Sequence, residues 1–278
     1  MKKLPIAIVS PHGSLAVPPE LIERVALSQE QIFNEADAYI DDIFDYRDRV
    51  LHWVAFPYAR CIIDVNRPAV NRPADVVLLP RAGDGVVKQV TSYGDTVFKP
   101  GMQPDAELEA VLLRKYYHPW HEQLAVIAAD ERVKLVIDAH SMAAVGPDLY
   151  GDPDQRRPRV MVGNLGDRNG RIRPDRSLLS APTPLANRFA RLLGEQLADT
   201  EPLVEAGAET AVNVPFSGGW NLWAHGGKQQ PWLMVELSRA MYIGSQTGNS
   251  PIVPPDRPRL AAIRERIWNA ICQLAAEL

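Results

Sequence analysis

The sequence predicts a layered α/β fold, a sheet covered by helices on both faces. Short apolar runs rich in β-branched residues recur along the chain, each closed by Pro, Gly or a polar residue. Segments with apolar residues three or four apart lie between them. Strands and helices therefore alternate, and in such folds ligand sites lie beyond the carboxyl ends of the strands. At 278 residues the chain is long enough to bury about 75% of its unfolded surface, and one domain, residues 1–278, is expected.

Taken in order, residues 6–9 form the first strand, closed by Ser10, Pro11 and His12. The preceding Met1-Lys2-Lys3 faintly imitates a signal peptide, but no small-residue cleavage site follows. Runs at 53–56 and 61–65 read as two further strands. Residues 105–130 have helical composition with Pro119 in the middle, which removes a backbone donor and predicts two pieces. Strands follow at 133–137, 160–162 and 233–237. The segment 146–183, rich in Pro, Arg, Asp and Gly, predicts long surface loops around the short strand at 160–162. Leu185, Phe189, Leu192, Leu193 and Leu197 mark one helix, and Leu260, Ile263, Ile267, Ile271 and Leu274 another.

Composition excludes several classes of function. The chain carries 30 Lys plus Arg against 34 Asp plus Glu, so the basic surface that a phosphate backbone requires is absent overall, and nucleic acid is not the expected partner. No stretch approaches the roughly 18 apolar residues of a membrane helix. Two cysteines, Cys61 and Cys272, are too few for a disulfide framework, and a reducing, cytoplasmic setting fits best.

Among the six histidines, His12 and His140 each follow an apolar strand. Imidazoles at two strand ends can converge on one metal, or each can simply cap a turn. Glu236 lies inside the apolar run Trp232-Leu-Met-Val-Glu-Leu237, where a charge would enter low dielectric. Either a cation such as Arg239 pairs with it, or it handles protons at a site. Asn66 and Arg67 close the run at 61–65, with Arg60 just upstream. An Arg there suits bidentate capture of a small carboxylate, or forms an ordinary ion pair before a proline turn. Asn213-Val-Pro-Phe-Ser-Gly-Gly-Trp220 is a loop whose Gly218 and Gly219 permit positive φ and close approach to a ligand.

Seven ordered motifs resemble the N-formylglutamate amidohydrolase family. They are Ser10-Pro-His-Gly-Ser14 with a following Val-Pro-Pro, Asp37-Ala-Tyr-Ile-Asp41, Arg60-Cys-Ile-Ile-Asp-Val-Asn-Arg-Pro68, Tyr117-His-Pro-Trp-His121, Asp138-Ala-His-Ser-Met142, residues 213–219, and Glu236-Leu-Ser-Arg-Ala-Met-Tyr242. The family is similar to zinc carboxypeptidases and aspartoacylases. That resemblance implies a three-layer α/β/α, phosphorylase/hydrolase-like fold with a mostly parallel mixed sheet, and a Zn2+ ion held by His12, His140 and a carboxylate. It also implies Glu236 as general base and Asn66 with Arg67 on the carboxylate of a small substrate. Beside these, the residues themselves suggest Arg60 as the cation near the oxyanion and Asn213, Gly218 and Gly219 as a loop against the substrate.

Two departures qualify what carries over. The relatives take two ligands from one His-x-x-Glu, but Leu15 stands three residues after His12, so the third ligand comes from elsewhere. Asp37 is the preferred source, with Glu35, Glu20 and Asp41 as alternatives. Basic residues expected before and after the Gly-Gly are replaced by Ser217 and, nearby, Trp223, which weighs against a dicarboxylate substrate. The implied reaction is hydrolysis of an N-acyl amino acid, with N-formyl-L-glutamate as the family's substrate. The rival readings are a metal-dependent deacylase with another substrate and a metal-free binding protein.

Overall fold

A computed structural model describes residues 3–69 and 85–278. Met1 and Lys2, part of the basic N-terminus discussed above, lie outside the described residues. Six strands form one sheet: β1 (Leu4–Ser10), β2 (Val50–Ala55), β3 (Leu135–Met142), β4 (Val160–Gly163), β5 (Thr210–Val212) and β6 (Trp232–Ser238). Their spatial order is β2-β1-β3-β6-β4-β5. Every neighbouring pair is parallel except β4 with β6. The sheet is therefore mostly parallel and mixed, as the alternating pattern predicts.

β1, β3 and β6 are apolar on both sides because helices cover both faces of the sheet. Successive residues of each strand point to opposite faces. Ile6, Ile8, Ile137 and Leu233 pack with Phe189 and Leu193 of α5 (Thr183–Leu197) and Ile263 and Ile267 of α7 (Arg257–Ala275). Val9, Val136 and Trp232 pack on the other face, with Trp120 and Leu124 of α4 (His118–Ala129) and Leu222 of α6 (Trp220–His225). Three shorter helices complete the set: α1 (Gln29–Glu35), α2 (Ile40–Ile43) and α3 (Ala106–Leu112).

Two sequence expectations are revised. Residues 61–65 are buried but are not a strand. The Ile62 and Ile63 amides bond the Ala59 carbonyl in turns, and Ile63 makes only an isolated bridge to Val87. An apolar run reports burial, and a buried turn satisfies it as well as a strand does. Residues 105–130 do not break in two at Pro119. A π-helical stretch, Leu113–Tyr117, joins α3 to α4 without a break, and its wider turn immediately before Pro119 accommodates the missing N–H and the ring. Strand β5 has no counterpart in the sequence reading, since three half-buried residues are too few to show a period.

Phe189 is fully buried between the sheet and α7. Phe189→Ala should lower the unfolding free energy by about 3–5 kcal/mol, read from the urea midpoint at unchanged slope. A loss below about 1 kcal/mol would mean that this layer is not the stabilising core.

Candidate active site

The carboxyl ends of β1, β3 and β6 lie side by side and carry the chemistry. His12 sits two residues beyond β1, His140 lies within β3, and Glu236 lies within β6 directly across from His140 in the parallel register. Asp138, two residues before His140, shares its face of the sheet. Asp37 arrives after α1, whose start is fixed by a capping box between Ser28 and Gln31. The Asp37 amide donates to the His12 carbonyl at 3.0 Å, tying this loop to the end of β1.

Both imidazoles are oriented the same way. Asp64 Oδ1 lies 2.8 Å from His12 Nε2, and Asp138 Oδ2 lies 3.2 Å from His140 Nε2. At His12 the hydrogen bond to Asp64 favours the tautomer that leaves Nδ1 as an electron-pair donor, whereas His140 Nε2 also faces the Asn66 side-chain NH2 at 3.3 Å. The two Nδ1 atoms converge on Asp37 Oδ2, at 3.6 Å from His12 and 3.1 Å from His140. All three side chains are buried, their ligand atoms lie within 4.8 Å of one another, and His12 Nδ1 has no hydrogen-bond partner. A buried, unpartnered ring nitrogen is costly unless something binds it. Two imidazole nitrogens and one carboxylate oxygen fit a divalent metal ion, which His12, Asp37 and His140 could hold.

The electrostatics follow from this packing. Burial opposes charge on Asp37, but the close approach and charge of His12 and the hydrogen bond and charge of His140 prevail and hold its carboxyl well below the usual range. His140 moves well above its ordinary value: burial opposes its protonation, and Asp138 and Asp37 outweigh that opposition. Glu236 is pushed up to about 8, chiefly by burial, with the Asp37 charge adding to the rise and His140 opposing it. Among the described residues no cation pairs with Glu236, and its Oε2 has no partner. Arg239 is not its counterion. That guanidinium donates from Nη1 to the carbonyls of Asn34 (2.7 Å) and Ala36 (3.1 Å), bracing the chain just before Asp37.

A second tier of contacts holds the carboxylates. Arg60 Nη2 donates to Asp64 Oδ2 at 3.0 Å, and the Asn66 amide donates to Asp64 Oδ1 at 2.9 Å. Trp120 Nε1 donates to Asn221 Oδ1 at 3.2 Å, and Asn221 Nδ2 donates to Asp138 Oδ1, also at 3.2 Å. The Tyr117–His121 motif thus acts on the centre through α6 and Asp138, while His121 bonds the Val65 carbonyl. Asp64, Asp138 and Asn221 were absent from the sequence-level site. The first two stand inside quoted motifs, and a carboxylate within each buried segment was the available signal.

A cavity of about 310 Å³ opens onto His12, Asp37, His140 and Glu236 and is also lined by Arg60, Asn66, Arg67, Asn213, Gly218 and Gly219. The structure brings all ten predicted residues to one cavity, although several are already engaged. Asn66 Oδ1 accepts from the Asn221 amide at the start of α6. Asn213, at φ 55°, spends its amide on Asn164 and the Asp167 carbonyl. Gly218 has φ 144°, and a Cβ on Gly219 would overlap the Asn66 amide, so the loop can pass this close only as glycine. The alternative carboxylates are occupied elsewhere: Glu35 accepts from Ser92, Asp41 from Ser10, and Glu20 from Lys115 and Tyr116. Ser217 and Trp223, the positions where cations were missed in the sequence, both touch Arg176. Its Nη1 lies 2.8 Å from Ser217 Oγ, and its guanidinium carbon lies 5.6 Å from the Trp223 ring centroid. A cation is therefore supplied there from the 164–180 loop. A wider groove of about 1290 Å³, lined by Val133, Pro184 and Arg188 among others, contains none of the candidate residues.

A buried two-histidine, one-carboxylate group beside an unpaired glutamate, at the carboxyl edge of a mostly parallel sheet, defines an α/β protein of the hydrolase type with a candidate metal centre. The chain belongs to the N-formylglutamate amidohydrolase family, whose profile matches residues 4–243. It is 28% identical to an N-formylglutamate deformylase of Pseudomonas putida over 249 residues, covering 87% of this chain and 82% of that one. Its fold is similar to the crystal structure of an N-formylglutamate amidohydrolase from Ralstonia eutropha JMP134, with TM-score 0.70, 17% identity, and coverage of 100% of this chain and 94% of that one. A gene product of Agrobacterium tumefaciens shares the fold at TM-score 0.60 and 15% identity, over 98% and 90% of the two chains.

A carboxyl whose pKa is higher folded than unfolded keeps an extra proton in the folded state between the two values. Stability therefore falls as pH rises through that window, here from 4.5 to about 8 for Glu236. In metal-free protein, Glu236→Gln should be more stable than wild type by an amount that grows across this window and levels off above it. Urea midpoints measured across the window test this, and a difference independent of pH would mean that Glu236 titrates like an exposed carboxyl.

Proposed function

We propose that this protein is a zinc-dependent amidohydrolase that cleaves the formyl amide of N-formyl-L-glutamate, giving formate and L-glutamate. The observation that carries the reading is the pairing of His140 with Glu236 across β3 and β6. That register sets an unpaired carboxylate beside the His12, Asp37 and His140 group. These three residues would hold the zinc, which when bound supplies a Lewis acid able to bring the pKa of water towards about 7 and polarise a carbonyl.

The chain's own groups supply the rest. Glu236, buried and without a counterion, accepts the proton of the attacking water. Water oxygen bonds to the formyl carbon, the C–N bond breaks, and Glu236 returns its proton to the leaving amine. Arg60, fixed by Asp64 and with its Nε–H unpartnered, donates to the developing oxyanion. Arg67 takes the α-carboxylate and holds the amide in register for attack. Asn66 and Asn213, their amides engaged with the protein, place Arg67 and the Gly218–Gly219 wall around the substrate. The partner is then a small carboxylate, and no helix among the described residues is long and apolar enough to cross a membrane. Both cysteines are free, which supports a cytoplasmic setting.

Purified protein should hold one zinc per chain. Asp64→Asn, which keeps the shape and removes the charge behind His12, should weaken zinc affinity by about 10- to 100-fold in a chelator competition. Protein that is folded, supplied with zinc and still binds none would end this reading. Glu236→Gln should retain zinc while turnover falls by about 100- to 10,000-fold. Unchanged turnover would reduce Glu236 to a structural residue.

A further inference from the structure

Arginines dominate the charge of the cavity wall. Arg60, Arg67, Arg157, Arg173, Arg176 and Arg239 all line it. Most of them are visibly committed. Arg60 pairs with Asp64, Arg157 with Asp152 at 2.7 Å, and Arg173 with Asp175 at 2.8 Å. Arg239 is tied to the carbonyls that end α1. Among the described residues Arg176 and Arg239 are both held only by neutral oxygens, but Arg239 is buried behind Asp37, whereas Arg176 is half-buried and lies against the Gly218–Gly219 loop. Its Nη1 donates to the Leu165 carbonyl at 3.0 Å and to Ser217 Oγ at 2.8 Å. Its Nε–H is buried without a partner, and among the described residues no carboxylate forms an ion pair with it.

The unused edge has a specific shape. With Nη1 occupied, Arg176 keeps Nε and Nη2, two parallel donors that match the two oxygens of a carboxylate. Arg157 presents the same edge to Asp152 and Arg173 presents it to Asp175, each with both donors engaged. In Arg176 that edge belongs to a side chain lining the same cavity as the candidate metal centre, with Nη1 anchored on the Gly218–Gly219 loop through Ser217. Burial and the like charge of Arg173 both disfavour its protonated form, a cost that an incoming anion relieves.

We propose that Arg176 determines substrate specificity: its Nε–Nη2 edge receives the side-chain carboxylate of a dicarboxylic N-acyl amino acid, and Ser217 orients it. This rests on the amidohydrolase reading and adds to it a residue that selects acidic side chains over their neutral isosteres. N-formyl-L-glutamate and N-formyl-L-glutamine differ only by carboxylate against amide. An amide offers one acceptor and no charge to that edge, so the discrimination belongs to the acid.

The test compares kcat/KM for these two substrates in wild type, Arg176→Met and Arg176→Lys. Wild type should prefer the acid. Arg176→Met should reduce that preference by about 10- to 150-fold, mainly through KM, as expected for a charged hydrogen-bonded pair. Arg176→Lys should restore part of it. Equal losses on both substrates would mean that Arg176 only props the loop, and would overturn the proposal while leaving the hydrolase reading intact. Calorimetric titration with glutarate and with its monoamide, glutaramate, gives a readout that needs no turnover. Selective loss of glutarate binding in Arg176→Met supports the assignment even if neither formyl substrate is cleaved, and unchanged binding of both overturns it. Should Arg176→Met fail to fold, Ser217→Ala applies the same test, with a smaller drop in the glutarate-to-glutaramate ratio expected and an unchanged ratio counting against the proposal.

Discussion

One carboxylate oxygen organises the centre of this molecule. Asp37 Oδ2 faces the Nδ1 atoms of both His12 and His140, and each of those rings is backed on Nε2 by a second buried carboxylate. Three acids and two imidazoles out of water would be prohibitive unless their charges were paired, and Arg60, Asn66 and Asn221 supply contacts to the outer carboxylates. The parallel alignment of β1 and β3 is what makes it possible. It brings the carboxyl ends of two strands distant in sequence to one edge of the sheet, while the loop after α1 adds Asp37 from a third direction.

Glu236 shows how the same packing perturbs a neighbouring acid. Its backbone is fixed by the β3–β6 ladder, so it cannot withdraw from a low-dielectric position, and the side chain that could have neutralised it, Arg239, is used to brace the chain before Asp37. The acid is left to burial, which raises its pKa, and to the opposing charges of His140 and Asp37. Ionising this carboxyl costs stability, and such perturbed acids concentrate at functional sites.

How much was legible in the sequence depended on how local the signal was. His12, His140 and Glu236 stood out as polar residues at or within apolar runs, although a turn cap or an ion pair explained each of them locally as well. Helices α5 and α7 were plain from their period, and the loop-rich stretch around β4 from its composition. Residues 61–65 misled because burial without regular hydrogen bonding has no one-dimensional signature. Asp64 and Asp138 were present in the motifs, but their work is visible only when their distances to the imidazoles are known. Arg176 was beyond reach, since the loop that carries it is rich in arginine and nothing local singles out the one that lies against Ser217 and Trp223.

The start of α6 ties two parts of the site into one mechanical unit. Its first backbone amides donate to the two Asn66 carbonyl oxygens and, through the Asn221 side chain, it holds Asp138 beside His140, while Gly219 immediately before it forms the cavity wall. Remodelling that wall would therefore disturb the catalytic core in the same stroke, and selection acting there would rarely be free to alter the range of molecules accepted. The ends of the 164–180 loop brace Asn213 and the start of β6, but its middle reaches the cavity at Arg176, which among the described residues bonds neither histidine. Divergence among enzymes built on this plan has its least obstructed route through that loop, where a new side chain can change what is accepted and leave the reaction as it was.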